Sequence, residues 1–317
     1  MNFEIDDQQR DFAASIDAAL GAANVPDAVR AWAAGDTGPG RKIWAQLSGL
    51  GVTALMVAEQ FDGIDAHPVD LVVALERLGR WNVPGPVTES IAVAPILLPD
   101  DERSGALASG ELIATVAAPP RVPRAVDADT AGLVLLAADG TVGEASPGER
   151  HASVDPGRHL FEVTATGDTR PADVARAFEF GALATAAQLV GAAQAMLDAS
   201  VDYAKQRSQF GTVIGTYQAI KHKLADVLIA VEMARPLVYG AALALADGSP
   251  DTARDVSAAK VAAADAALLA ARSALQTHGA IGYTQEHDLS LLLLRAQALR
   301  PAWGDPTWHR RRVLEAL

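Results

Sequence analysis

The sequence predicts a mainly α-helical fold with a small β unit in its middle, and three observations carry that prediction. Ile220, Leu224, Val227, Val231, Ala234, Val238, Ala241 and Leu245 recur at alternating steps of four and three, so all eight lie on one stripe of a long helix. Aromatics are only 5% of a chain that is 50% apolar and rich in alanine, so its packing must come from close helix–helix contact. From about Leu112 to Thr169 the pattern shortens to brief apolar runs bounded by Gly, Pro and Asp, as strands are. The boundaries that follow are an N-terminal helical domain over 1–111, a reduced β domain over 112–169 and a C-terminal helical bundle over 170–317.

Each element has a local reason. Phe12, Ile16 and Leu20 share a face of the first helix, with Asp6 and Gln9 placed as a reciprocal cap. Residues 25–41 read as a loop or a short helix around Trp32, and Lys42 to Leu50 as a helix ended by Gly51. Pro68 starts a helix through Leu78, Pro84-Gly85-Pro86 breaks the chain, and Thr88 to Leu97 is helical again. Leu112 to Ala117, Gly132 to Ala137 and Leu160 to Ala165 are the predicted strands. Helices resume at about Pro171, with Leu183, Ala186, Val190, Ala193, Leu197, Val201 and Ala204 as the first stripe. The second helix ends at Gly248 and contains Pro236, where a kink is expected. Ser249-Pro250 opens a third, lined by Val256, Ala259, Ala263, Ala266, Ala270 and Ala274 and ended by Gly279. A fourth spans about Glu286 to Ala298, and Asp305-Pro306 caps a last short helix ending in Arg310-Arg311-Arg312.

Composition excludes several functions. With 26 Lys and Arg against 39 Asp and Glu, the net charge of −13 repels nucleic acid. The absence of cysteine removes disulfides, thiolate nucleophiles and sulfur-bound metals, and suits a reducing cytoplasm. The acidic start, MNFEIDDQQRDF, is unlike a signal peptide, and no uninterrupted apolar run approaches membrane-spanning length. His222, His278 and His287 lack metal-ligand spacing.

Three stretches carry a resemblance. Arg207-x-x-Phe210-Gly211 after Tyr203-Ala204, followed by Gln218 and Leu224-Ala-Asp226, resembles the C-terminal domain of the acyl-CoA dehydrogenases. Gln276-Thr-His-Gly279-Ala280-Ile-Gly282-Tyr283 is similar to that family's Gln-x-x-Gly-Gly-x-Gly-Tyr/Phe segment. Leu50 to Gly63 and Glu76-Arg-Leu-Gly resemble its first helical domain. The resemblance implies an N-terminal helical domain, a β domain and a C-terminal four-helix bundle. It also implies FAD as cofactor and α,β-dehydrogenation of an acyl-CoA thioester. In family dimers the two C-terminal motifs reach a flavin nucleotide seated in the neighbouring subunit, which assigns that role here to Arg207, Gln209, Phe210, Gln276, Gly279 and Ala280. Ala280 stands where the family has its second glycine.

The rest of the site departs from the family. No flavin-ring motif matches the middle segment, where Pro119 to Gly132 is a loop of prolines and charges. The family's base, a glutamate that takes the α-proton, falls at Gly304 or, in some members, at Gly181. Asp305 is a weak substitute that capping alone would select, and Glu179 reads as a solvated surface acid. The implied function is a catalytically incomplete subunit of a heterotetramer with a full-length acyl-CoA dehydrogenase paralogue, acting on a bulky, steroid-derived CoA thioester. The alternatives are a self-sufficient homo-oligomer using Asp305, and a flavin-free helical scaffold.

Overall fold

The computed structural model describes residues 5–317. Helix α1 (Asp7–Ala22) starts on the expected cap: the Asp6 carboxylate accepts from the Gln9 backbone N–H and the Gln9 side chain accepts from that of Asp6. Residues 25–41 hold α2 (Val25–Ala33), which buries Trp32, and the start of α3 (Gly38–Gly49). Helix α4 (Pro68–Trp81) begins at Pro68 and ends in a left-handed Asn82. After the Pro-Gly-Pro break the chain enters a π-helical segment, Thr88–Val93, continued by α5 (Ala94–Leu97) and the short α6 (Ser104–Ala108). Thr88, Glu89 and Ser90 are buried on that π segment, an arrangement frequent at functional sites.

The middle of the chain forms a mixed sheet of β1 (Ala114–Ala117), β2 (Ala125–Val126), β3 (Leu133–Ala138), β4 (Thr141–His151) and β5 (Leu160–Pro171), in the order β1-β3-β4-β5-β2. β1 and β3 are parallel and the other pairs antiparallel. The sequence reading missed β4 and β2 and stopped β5 six residues early. Much of β4 and β5 forms an exposed ribbon with register shifts between Gly143 and Ala145 and between Pro147 and Arg150, so it carries no apolar alternation to read.

Helix α7 (Val174–Gln206) follows an Asp173 cap and buries most of its predicted stripe. A small hairpin, β6 (Ser208–Gln209) with β7 (Thr212–Val213), leads into α8 (Gln218–Ala246), which runs through Pro236 as one element. Helix α9 (Thr252–His278) begins two residues beyond the expected Ser249-Pro250 start, after Asp251. Helices α10 (Leu289–Leu299) and α11 (Pro306–Glu315) complete the bundle. Two glycines set how the N-terminal helices meet it. A Cβ on Gly79 of α4 would strike the backbone of Gln188 on α7, and one on Gly191 would strike that of Glu76, so the helices cross nearly backbone to backbone. Beside this crossing the buried Glu76 pairs with Arg77 (2.9 Å) and with Arg235 of α8 (3.1 Å).

Helices α7 and α8 are each long and apolar enough to cross a membrane by length and composition. In the most apolar window of α7, 89% of residues are buried inside the chain, which makes it the core helix of the bundle. The equivalent window of α8 is 39% buried, and Leu228, Ile229, Met233 and Leu237 stand exposed along one face.

Candidate functional site

Arg207 closes α7, its backbone N–H bonding the Tyr203 carbonyl. Pairing of Ser208 with Val213 and of Gln209 with Thr212 leaves Phe210 and Gly211 as a two-residue turn. Both have positive φ, 53° and 84°, the pattern of a type I′ hairpin turn. Glycine adopts this freely, whereas a phenylalanine held there costs about 1–2 kcal/mol. Burial offers no compensation, because the Phe210 ring is 94% exposed. Arg207 and Gln209 are exposed beside it, and the Tyr217 hydroxyl donates to the Gln209 carbonyl at 3.2 Å. A strained backbone that presents a large apolar ring to the outside suits contact with another molecule.

The second motif lies at the same end of the bundle. Gln276 is exposed on the last turn of α9, Gly279 ends that helix at φ 67° and ψ −145°, and Ala280 is exposed in the turn after it. The buried His278 joins the two motifs by stacking on Tyr203, with ring centroids 4.3 Å apart. Its Nδ1–H donates to the Ala274 carbonyl at 2.9 Å, and burial holds its pKa below the ordinary histidine value. Residues more than sixty positions apart in sequence are thus brought exposed to one end of the bundle: Arg207, Gln209 and Phe210 after α7, and Gln276, Gly279, Ala280 and Tyr283 at the end of α9.

At the other candidate centre, both positions of an expected base are closed by packing. Gly181 lies on α7 under the indole of Trp303, and a Cβ there would enter that ring. Gly304 has φ 98°, and a Cβ on it would lie 2.5 Å from His309 Nε2 and 3.0 Å from the Trp308 ring. The His309 imidazole is fully buried and held at both nitrogens, with Nε2–H donating to the Trp303 carbonyl and Nδ1 facing Ser257 Oγ, each at 3.0 Å. Burial lowers its pKa to about 4, so it is neutral. The turn is held from below by Lys260, buried on α9, whose Nζ donates to the carbonyls of Arg300 (2.8 Å), Gly304 (3.3 Å) and Leu299 (3.4 Å).

Asp305 is the cap of α11, its Oδ1 accepting from the backbone of Thr307 (2.9 Å) and Trp308 (3.1 Å). Partial desolvation pushes its pKa up, the Trp308 and Thr307 N–H groups outweigh this, and the net shift is downward. That is the wrong direction for a general base working near neutrality. Glu179 is not a solvated acid. It is buried and forms a two-bond pair with Arg312, and Arg310 pairs with Asp265, so two of the three terminal arginines have acidic partners. Sequence reasoning gave Trp303, His309, Lys260 and Arg312 no such parts, and the only available signal was the unusual density of aromatic and cationic residues around Gly304. On the exposed β4–β5 ribbon, ligand atoms of Glu149, His151 and Glu162 lie within 4.8 Å of one another, a grouping created by a strand the sequence reading missed.

The loop through Pro119, Pro120, Arg121 and Arg124 lies against Trp303 and Trp308, with the Arg121 guanidinium 4.8 Å from the Trp308 ring. The exposed Arg207 and Phe210 and the open backbone at Gly279 have the chemistry that suits the nucleotide part of a flavin.

Comparisons with known proteins give the family. Residues 6–98 match the N-terminal domain of acyl-CoA dehydrogenase and residues 172–317 match its C-terminal domain. The chain is 32% identical over 302 residues to acyl-CoA dehydrogenase IpdE2 of Mycobacterium tuberculosis, covering 91% of this chain and 90% of that protein. Its fold is similar to the ChsE4–ChsE5 complex from Mycobacterium tuberculosis (TM-score 0.84, 22% identity, 99% of this chain and 98% of that one). It is similar as well to a variant of the Tcur3481–Tcur3483 steroid ACAD (TM-score 0.82, 20% identity, 97% of each chain).

Proposed function

Because this chain belongs to the acyl-CoA dehydrogenase family, whose members are FAD-dependent oxidoreductases, we propose that it is the catalytically incomplete subunit of a heterotetramer with a full-length paralogue. The observation behind this reading is a division in the chain: the Phe210 hairpin faces outward, while Trp303 and His309 close both positions a base would take. Arg207 would meet the flavin pyrophosphate with a charge-assisted contact. Phe210 would pack beside the adenine end, with Gln276 and the backbone of Gly279 and Ala280 completing the cradle. When bound, FAD supplies the acceptor for a hydride from the β-carbon of the thioester. The paralogue's glutamate would take the α-proton, since glycine stands at both positions of the family's base here and Asp305 caps α11.

Two further features support a second chain. The exposed face of Leu228, Ile229, Met233 and Leu237 on α8 is an apolar strip that an oligomer would cover. The similarity to ChsE4–ChsE5 and to the Tcur3481–Tcur3483 steroid ACAD supports a two-chain assembly acting on a bulky, steroid-derived CoA thioester. Asp305 as the base of a self-sufficient homo-oligomer is disfavoured by its role as a helix cap.

Co-expression tests the proposal. Purified alone, the chain should be colourless and inactive; produced with its paralogue, the complex should be yellow and should oxidise an acyl-CoA. Arg207→Ala should weaken flavin retention in that complex. A yellow, active protein from this chain alone, or full flavin retention by the Arg207→Ala complex, overturns the reading.

A further inference from the structure

The register of the β4–β5 ribbon explains why three metal-ligating side chains meet there. Pro147 pairs with Val163 and Arg150 with Phe161, so Gly148 and Glu149 together face the single residue Glu162, a β-bulge. Successive residues of a strand point to opposite faces. Phe161 is buried, which sends its neighbour Glu162 outward, and His151, paired with Leu160 and two residues from Glu149, takes the same outer face. An imidazole and two carboxylates result, with ligand atoms within 4.8 Å of one another and His151 Nε2 at 2.9 Å from Glu162 Oε1. Both glutamates are exposed and the histidine is partly buried.

Charge is a separate pointer to a cation. Glutamates facing each other across a strand pair repel and weaken it. His151 is the one ion-pair partner of Glu162, and Glu149 has none among the described residues. The bulge already interrupts the ladder of backbone bonds at this point, so the repulsion falls where the ribbon is least held.

We propose that Glu149, His151 and Glu162 bind one zinc ion, which clamps β4 to β5 beside the bulge. The donor set decides the metal: zinc takes imidazole together with carboxylates, whereas magnesium and calcium select oxygen donors. Zinc holds such ligands at about 2.0–2.2 Å, which side-chain rotation on an exposed ribbon can reach, and water completes the coordination. The proton on Nε2 that faces Glu162 moves through solvent to Nδ1 as the metal takes its place. None of the three residues belongs to the Phe210 hairpin or to the Gly304 turn, so the site stands or falls apart from the heterotetramer reading.

Calorimetric titration of zinc sulfate and of magnesium chloride tests the site on the chelator-treated full chain, or on the purified complex where the chain is soluble only with its partner. Zinc should bind saturably with micromolar affinity, and magnesium should not bind at the same concentration. Glu149→Gln, His151→Gln and Glu162→Gln should each weaken zinc binding at least about tenfold, since even the outer partners of metal ligands are worth that much. His222→Gln, an exposed histidine elsewhere, should leave it unchanged. Zinc should also slow amide exchange in the ribbon of wild type and not in that of Glu149→Gln. If His151→Gln fails to fold, Glu149→Gln, whose side chain has no ion-pair partner to lose, carries the test. No saturable zinc binding, equal binding of magnesium, or unchanged zinc affinity in the ribbon variants would overturn the proposal.

Discussion

Replacing Gly304 by glutamate puts a carboxylate back where the turn lacks one, and the structure sets the cost of doing so. The new Cβ would lie 2.5 Å from His309 Nε2, about 1 Å inside ordinary van der Waals contact, so the imidazole has to move. Moving it breaks its bonds to the Trp303 carbonyl and to Ser257 Oγ, two buried bonds worth about 1 kcal/mol each. A φ of 98° adds about 1–2 kcal/mol for any residue with a side chain. The sum is about 3–4 kcal/mol, a melting temperature lower by on the order of 10 °C. Gly304→Ala has the same Cβ and should show most of that loss, which separates the steric cost from any effect of the carboxylate. Differential scanning fluorimetry measures both variants, and thioester oxidation without a partner measures the glutamate's chemistry. Wild-type melting of both variants, or turnover by Gly304→Glu alone, refutes the view that packing closes this position.

Three other outcomes are expected. The His309 pKa is held at about 4 in the folded chain against 6.5 for an ordinary histidine, so only the unfolded chain takes up this proton as pH falls through that window. Wild type should therefore lose about 3 kcal/mol more than His309→Gln between pH 6.5 and pH 4, read by urea unfolding at the two pH values. Arg312→Met leaves Glu179 buried and unpaired, and should cost about 3–5 kcal/mol at neutral pH, with Glu179→Leu in the same chain recovering part of the loss. Phe210→Asn gives the hairpin a residue that tolerates positive φ; it should leave thermal stability unchanged or raise it by up to about 1 kcal/mol, while flavin retention in the complex falls.

The helices were legible because their stripes are long and buried: the stripe on α7 and the one from Leu224 to Leu245 on α8 lie in the core as the spacing requires. The α1 cap was legible because Asp6 and Gln9 interact only with their own helix end. Strand β4 was not, because Thr141–His151 is exposed along much of its length and includes two glycines, a proline and several charges. The same division runs through the site. Arg207 and Phe210 could be read from a local turn pattern, and the structure adds why: a two-residue turn needs positive φ at Phe210 and Gly211. The closure of Gly181 and Gly304 depends on Trp303 and His309, which reach those glycines only after the end of the chain folds back on α7 and α9. Glu179 was misread for that reason, since its partner Arg312 lies 133 residues away.

Native mass spectrometry of the complex co-purified with the full-length paralogue tests the division of the cofactor site most directly. Two copies of each chain holding two FAD molecules, and no FAD on this chain alone, is the predicted result. A homo-oligomer of this chain carrying one FAD per copy would contradict it.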